Sequence, residues 1–319
     1  MNQSKQVNLL RENYEVIKSS GVHFIDKRMR YLIARVFTGS AQRIQPELFL
    51  HTNLKLKQQS GLFTNLTSTV RASIASLLIA NEMNTNRYYH ELADNYQLLL
   101  DSGFKRSEFT YFAAYQLLHS ELQDRKKIVR EGKAIFEAIQ NNHRFLKGRS
   151  SCSMAILIAQ FNLDKKATEI AEIVDYYFQE LSQIGFRKNE QLYYLAALGA
   201  MFYQSQQPIF INQIQCILNQ LDEMEIPLKP LYYTTIGILA FTQGDQTKLM
   251  NEKELSEFIQ EIRLLPGMRF QKEISFALGL SSYTEKLNSN LSSLEMESLL
   301  LALQIQIFKE NQRVYSAST

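Results

Sequence analysis

The chain has 319 residues, of which 45% are hydrophobic and 21% are charged, with a net charge of +3 and only 12 glycines and 5 prolines. This composition excludes a disordered polypeptide and favours helices over a turn-rich β fold. The two cysteines, Cys152 and Cys216, are too few and too far apart for a disulfide-dense scaffold or a paired-cysteine zinc site.

The first 60 residues are the most basic part of the sequence. They contain ten Lys or Arg against four Asp or Glu, a charge of +6, whereas the remaining residues sum to −3. This bias allows an acidic partner for the N-terminal part, but a charge of this modest size is more typical of a solvated surface. The start, MNQSKQVNLLRENYEV, lacks the apolar core of a signal peptide, and no apolar run of membrane-spanning length occurs. We therefore expect a cytoplasmic protein without a membrane partner.

One short string recurs along the chain. Residues 102–118, SGFKRSEFTYFAAYQLL, are followed by the similar residues 184–202, IGFRKNEQLYYLAALGAMF. A step of 82 residues connects four glycines, namely Gly21, Gly103, Gly185 and Gly267. An aromatic residue lies seven positions before three of them, namely Tyr14, Tyr96 and Phe178. A period near 80 residues is about twice that of two-helix repeats, which indicates a unit of four helices.

Each recurring string predicts a corner between two helices. Apolar residues such as Phe109, Phe112 and Leu117 have helical spacing. The glycine follows such a run, as in a left-handed helix cap, and the Phe or Met after it is expected to pack back on the preceding helix. A glutamate then falls in the first turn of the next helix, where the helix dipole favours negative charge; these are Glu108, Glu190 and Glu273.

The sequence therefore predicts an all-α protein, a curved helical-repeat body of the α-solenoid or α-α superhelix type, with about four helices per unit. No stretch is rich enough in Ser, Gly or charge to be a linker, so we expect residues 1–319 to form a single domain. The polar stretch 283–297 is expected to be an exposed loop. The predicted parts are a partial unit, three repeat units and a frayed tail, at 1–66, 67–146, 147–228, 229–308 and 309–319.

Two Gly-Phe corners, at 103–104 and 185–186, and the string NNHRFLKGRSSCSMAILIA at 141–159 have a pattern that resembles a known bacterial family. That family is catalogued as domain of unknown function 4003, and the resemblance covers most of the chain. It implies an all-helical architecture and supplies no activity. In the family an acidic, hydroxyl-bearing segment follows the Phe-Leu pair, whereas positions 147–151 here hold Lys, Gly, Arg, Ser and Ser. The resemblance implies that any role of those acids is lost.

Basic residues recur at the predicted corners. In a repeat protein equivalent positions align as a ridge, and helix N-termini with nearby Arg and Lys are suited to anions. Such a ridge is predicted to bind phosphate, nucleic acid or an acidic peptide. The alternative is that these residues are solubility charges, offset by neighbouring glutamates. The residues concerned are Lys105, Arg106, Arg187, Lys188, Arg269 and Lys272, with Lys27 and Arg28 at the first corner.

Histidines supply two further candidate sites. His143 lies in the polar string QNNHRF, where it is either a functional imidazole or a residue that caps a turn. His90 and Glu91 open the helix before Gly103, and His119 and Glu121 close the helix after it. If these helices are antiparallel neighbours, the two pairs lie at one end of the hairpin, where they could hold Zn²⁺ or Fe²⁺. The alternative is that they are unrelated surface residues.

The sequence contains no dinucleotide-binding, P-loop, zinc-protease, esterase or di-iron signature. We therefore expect a non-enzymatic scaffold, without a cofactor, that binds a protein or peptide. Tyrosine doublets could offer one member to a partner while the other packs in the core, although packing in or beside the core is the expected use of most of these rings. The doublets lie at 88–89, 176–177, 193–194 and 232–233. Two alternatives remain. One is an enzyme with a metal or polar site between helices of the first full unit, and the other is a nucleic-acid or phosphate binder that uses the basic corners.

Overall fold

The computed structural model describes residues 3–22, 25–58, 66–142, 151–162, 164–243, 251–269 and 271–286, and near the C terminus 301–302, 304–305 and 308–309. These residues are helical or irregular, without a β-strand, which confirms the all-α prediction. Within these ranges no helix combines the length and the apolar character needed to span a membrane.

The helices are α1 Gln3–Ser19, α2 Lys27–Gly39, α3 Pro46–Gln58, α4 Ser68–Ala80, α5 Asn86–Asp101, α6 Glu108–Gln116, α7 Leu122–Asn142, α8 Ser151–Phe161, α9 Ala167–Gln183, α10 Glu190–Tyr203, α11 Pro208–Glu223, α12 Tyr233–Gln243, α13 Glu252–Arg263 and α14 Lys272–Lys286, with 3-10 segments at Leu117–His119 and Pro230–Tyr232.

The helices pack into two compact bodies. The first body comprises Met1–His119 with Ile307–Thr319, and the second comprises Ser120–Gln306. Helices α4 to α7 fall within the predicted unit 67–146, and α8 to α11 fall within 147–228. The boundary between the two bodies, after His119, falls inside the range 67–146. The three repeat units and the single domain of residues 1–319 therefore stay predictions.

Two kinds of helix alternate along the chain. Odd-numbered helices bury one face, whereas even-numbered helices are buried on almost every side, as in α10, where every residue from Glu190 to Met201 is buried. Each odd helix packs against the even helix that follows it. The even helices also pack in series, α2 to α4 to α6 in the first body and α8 to α10 to α12 to α14 in the second. A helix that is apolar all round belongs in the interior, so the even helices form the core and the odd helices cover it.

The corners at Gly103 and Gly185 have the predicted left-handed caps. Gly103 follows α5 with a φ of +85°, and the N–H of Phe104 donates to the carbonyl of Leu99 at 3.1 Å. Gly185 follows α9 with a φ of +108°, and the corresponding bond from Phe186 is 3.3 Å long. Both phenylalanines are buried. This is the Schellman arrangement, in which the residue after the glycine packs back on the helix that it follows.

The aromatic residues that precede the glycines pack across the corners. In the first body Tyr14 stacks on Tyr31 of the next helix, and Tyr96 stacks on Tyr111 of its next helix, each with ring centroids 4.1 Å apart. The spacing that the sequence repeats therefore corresponds to a recurring contact between the two helices of a corner.

The prediction of an exposed loop at 283–297 is wrong for its first residues. Helix α14 continues to Lys286, and Tyr283 is buried with its hydroxyl oxygen accepting the backbone N–H of Asn251 at 2.9 Å. A buried hydroxyl needs a hydrogen-bond partner, and the backbone N–H supplies one here. Tyr283 can therefore be buried even though the sequence around it is polar. Residues 287–297 and 310–319 lie outside the described residues.

Candidate functional site

The corner between α9 and α10 exposes two cations. Arg187 and Lys188 lie between the buried Phe186 and Asn189, whose side-chain oxygen accepts the N–H of Leu192 and caps α10 at 2.9 Å. The two ends of this short segment are thereby held by packing and by the cap, while both basic side chains are exposed. The segment presents its positive charge to solvent from a fixed backbone.

Two tyrosines connect this corner to the starts of two further helices. The hydroxyl oxygen of Tyr233 accepts the backbone N–H of Arg187 at 3.0 Å, and its ring lies edge-on to Phe186 at 4.6 Å. The neighbouring Tyr232 ring lies 4.3 Å from that of Phe276 in α14. Burial and the nearby carboxylate of Glu273 raise the pKa of Tyr232 to about 12. The 3-10 segment that precedes α12 therefore lies between the start of α10 and the start of α14.

Exposed cations follow this line of three helix starts in the second body. Helix N-termini carry partial positive charge, so a cation there is disfavoured by about 0.3–1 kcal/mol. An acidic ligand would be attracted by the side chains and by the helix ends together. We call these five exposed residues the basic edge, which consists of Arg187, Lys188, Lys229, Arg269 and Lys272.

Most of the basic edge is not neutralised by the protein. In the part of the chain that the structure describes, Arg187, Lys188, Lys229 and Lys272 form no ion pair. Lys188 instead donates to the side-chain oxygen of Gln179 at 2.9 Å, a neutral acceptor. Within the described residues, these four positive charges therefore have no ion-pair partner.

The basic residues of the first body differ between its two corners. Arg28 forms an ion pair with Asp26 at 3.1 Å, and the same aspartate caps α2 by accepting the N–H of Arg28. Lys105 and Arg106 are exposed, in the segment between the buried Phe104 and the cap of α6. The alignment of all the corners in one ridge stays a prediction.

The four residues of the predicted metal site have separate surroundings. Glu91 accepts from the guanidinium of Arg87 at 2.6 Å, and the ring of His119 lies edge-on to that of Tyr115 at 5.3 Å. His90 and Glu121 are exposed. Among the described residues no group of three or more His, Cys, Asp and Glu side chains is arranged to hold a metal ion. The metal site therefore stays a prediction, and the described residues do not form one in this arrangement.

The tyrosine doublets contribute little exposed aromatic surface. Both members of 193–194 and of 232–233 are buried, because these residues lie in or beside the enclosed helices α10 and α12. These four rings pack in the core, which is the use expected for most of the doublets, and neither member of either pair is available to a partner. Tyr88 and Tyr176 are half-buried beside buried neighbours, as expected of an amphipathic helix. His143 lies outside the described residues.

Lys229 is the residue of the basic edge that sequence reasoning missed. It stands alone before Pro230 and belongs to no basic pair, so the recurring pattern does not include it. It precedes the 3-10 segment that packs against both α10 and α14. The available signal was the Lys-Pro step itself, because proline favours the first turn of a helix.

Comparison with known proteins agrees with the resemblance noted in the sequence. The family model described as "Protein of unknown function (DUF4003)" matches residues 13–312. The chain is similar to "Uncharacterized protein YeaA" of Bacillus subtilis (strain 168), with 24% identity over 264 residues that cover 82% of this chain and 78% of the relative. No solved structure matches the chain significantly.

Proposed function

The chain belongs to the family described as protein of unknown function (DUF4003), and we propose that it is a non-enzymatic scaffold that binds an acidic segment of a protein through its basic edge. The observation that carries this proposal is the arrangement of five exposed cations along three successive helix starts in the second body. The family description names no activity, so the proposal is built on the geometry of this chain.

The proposed architecture is the curved helical repeat that the sequence predicts. Three observations support it, namely the alternation of enclosed and covering helices, the glycine caps at one spacing and the tyrosine stacks at the corners. Helical repeats expose the same position of successive units on one surface, which makes them suited to extended partners. A row of equivalent helix starts is such a surface.

An acidic peptide fits the basic edge better than nucleic acid does. The edge has only five cations, and the first turns of α10 and α14 beside them carry the glutamates Glu190 and Glu273. Proteins that bind nucleic acid tightly neutralise more phosphates and stack bases on exposed aromatic rings. The doublets nearest to this edge, 193–194 and 232–233, are buried, so they offer no stacking surface.

The test is a binding titration that compares two anionic probes. A fluorescent peptide of alternating glutamate and serine and a fluorescent oligothymidine of equal length are titrated with the full chain, and anisotropy is measured at low and at physiological salt. The double variant Arg187→Ala/Lys188→Ala removes two cations of the edge. The matched control is Lys126→Ala/Lys127→Ala, which removes two exposed cations of α7 in the same body.

We expect the peptide to bind and the edge variant to bind it about tenfold more weakly at low salt, because each exposed ion pair contributes up to about 1 kcal/mol. The control variant should bind like the wild type, and added salt should weaken binding. Binding of the oligothymidine with no binding of the peptide would identify a nucleic-acid surface instead. Equal losses in the two variants, or no binding of either probe, would reject the basic edge as a binding site.

A further inference from the structure

The corner at Gly267 differs from the glycine caps that end α5 and α9. Helix α13 ends at Arg263, and the N–H of Leu264 still donates to the carbonyls of Gln260 and Glu261 at 3.1 and 3.2 Å. A turn follows, in which the N–H of Met268 donates to the carbonyl of Leu265 at 3.0 Å. Pro266 and Gly267, with a φ of +71°, occupy the two central positions, the pattern of a type II turn.

This turn opens a groove with an exposed leucine. The groove has a volume of about 550 Å³ and is lined by the 260–269 segment, including Arg263, Leu264, Pro266 and Arg269. Leu264 is 81% exposed, more than any other large hydrophobic residue among those that the structure describes. An isolated exposed leucine is ordinary, but here the leucine forms the wall of a concave surface, where a second apolar side chain can cover it.

Among the described residues, the charged side chains that line the groove are both cations. Its charged lining residues are Arg263 and Arg269, and in the described part of the chain no carboxylate lines it. Arg263 is half-buried at the end of α13, and Arg269 belongs to the basic edge. Guanidinium groups form paired hydrogen bonds with carboxylates, so the groove is complementary to a segment that carries acidic residues beside an apolar one.

We propose that this groove docks an apolar side chain of an acidic protein segment. The apolar side chain covers Leu264 and Pro266, and carboxylates on either side of it bind Arg263 and Arg269. The inference rests on the proposed function, because Arg269 is shared between the groove and the basic edge. It adds a requirement that the edge alone does not impose, which is one leucine-like or phenylalanine-like residue within the acidic segment.

Selection from a random peptide library displayed on phage tests this requirement without knowledge of the natural partner. The full chain is immobilised, and the same library is selected on the wild type, on Leu264→Ser and on Arg187→Ala/Lys188→Ala. The matched control is Leu122→Ser, which removes an exposed leucine of α7 in the same body. Both leucines are exposed, so neither substitution should change the thermal midpoint, which circular dichroism checks.

We expect the wild type to enrich peptides in which Asp or Glu flank a large apolar residue. A synthetic peptide from this pool should bind Leu264→Ser about tenfold more weakly than the wild type, since one apolar side chain is no longer covered. The same peptide should bind Leu122→Ser as it binds the wild type.

Three outcomes would overturn the inference in distinguishable ways. Enriched acidic peptides that need no apolar residue, and that lose affinity only in Arg187→Ala/Lys188→Ala, would reject the groove and leave the proposed function standing. Peptides without acidic residues, or no enrichment at all, would reject both. A dimer of the protein alone that dissociates on Leu264→Ser, measured by sedimentation, would assign the groove to a second copy of the chain.

Discussion

Gly185 has a φ of +108°, and no heavy atom lies within 4 Å of the position that a β-carbon would take. The residue is therefore required by its backbone conformation and not by a lack of space. Gly103 likewise has a left-handed conformation, with a φ of +85°. At the scale of single residues, the recurring glycines are explained by the left-handed cap that each corner needs.

Replacement of Gly185 by alanine tests the cost of placing an L-residue in this left-handed conformation. We expect Gly185→Ala to lower the free energy of unfolding by about 1–2 kcal/mol, because an L-residue is strained in the left-handed region. The change is measured as a shift of the urea midpoint at constant slope. Gln183→Ala, at an exposed position of the same helix end, is the control and should change stability by less than about 0.5 kcal/mol. An unchanged midpoint in Gly185→Ala would contradict the role of the cap.

At the scale of elements, buried tyrosine hydroxyls connect helices to the loops beside them. The hydroxyl of Tyr177 in α9 donates to the carbonyl of Ser205 at 2.8 Å, and its oxygen accepts the N–H of Gln207 at 3.2 Å. Gln207 is the residue that precedes α11, so one side chain determines where the loop enters this helix. The bonds from Arg187 to Tyr233 and from Asn251 to Tyr283 serve the same purpose at other helix starts.

Loss of the Tyr177 hydroxyl leaves two backbone groups without this partner. We expect Tyr177→Phe to reduce the free energy of unfolding by about 1–3 kcal/mol, since partly buried polar groups lose their hydrogen bonds. Tyr176→Phe is the matched control, because the neighbouring hydroxyl makes no hydrogen bond among the described residues, and it should be nearly neutral. Equal midpoints for the two variants in urea would show that the loop does not depend on this hydroxyl.

At the scale of the whole molecule, buried tyrosines should make the free energy of unfolding depend on pH in the alkaline range. In six tyrosines that lie in the core, burial raises the pKa above the ordinary value of about 10, in Tyr232 to about 12. The two bodies share this property. The other five are Tyr31 and Tyr111 in the first body and Tyr177, Tyr193 and Tyr233 in the second.

These tyrosines should lower the stability of the fold at alkaline pH, because the folded and unfolded states bind different numbers of protons. Above a pH of about 10, tyrosines of the unfolded chain lose their protons while the buried ones keep them, so the folded state binds more protons. The free energy of unfolding should therefore be insensitive to these groups below about pH 10 and fall as the pH rises above it. Urea midpoints across this range measure the fall, and tyrosinate absorbance should increase together with unfolding. Titration of these six rings near the ordinary pKa in a protein that stays folded would contradict their burial.

Local patterns predicted much of the fold and only part of the site. The glycine corners, the glutamates in the first turns and the all-helical class follow from the conformations and dipoles of single helices, which neighbouring residues decide. The burial of the even-numbered helices on nearly every side is harder to predict from the sequence, because a helix that is apolar all round lacks the one-sided pattern of an amphipathic helix. For the same reason the doublets at 193–194 and 232–233 could not be recognised as wholly buried.

The amino-acid sequence by itself determined the helical class, the positions of the corners and the exposed basic pairs at Lys105 and Arg187, since each depends on residues that are close in the chain. Only the tertiary structure decided which helix starts pack together. The 3-10 segment that follows Lys229 packs against both α10 and α14, with Tyr233 against Phe186 and Tyr232 against Phe276. Such proximity arises from side-chain packing between segments distant in the chain, and no local pattern of residues encodes it.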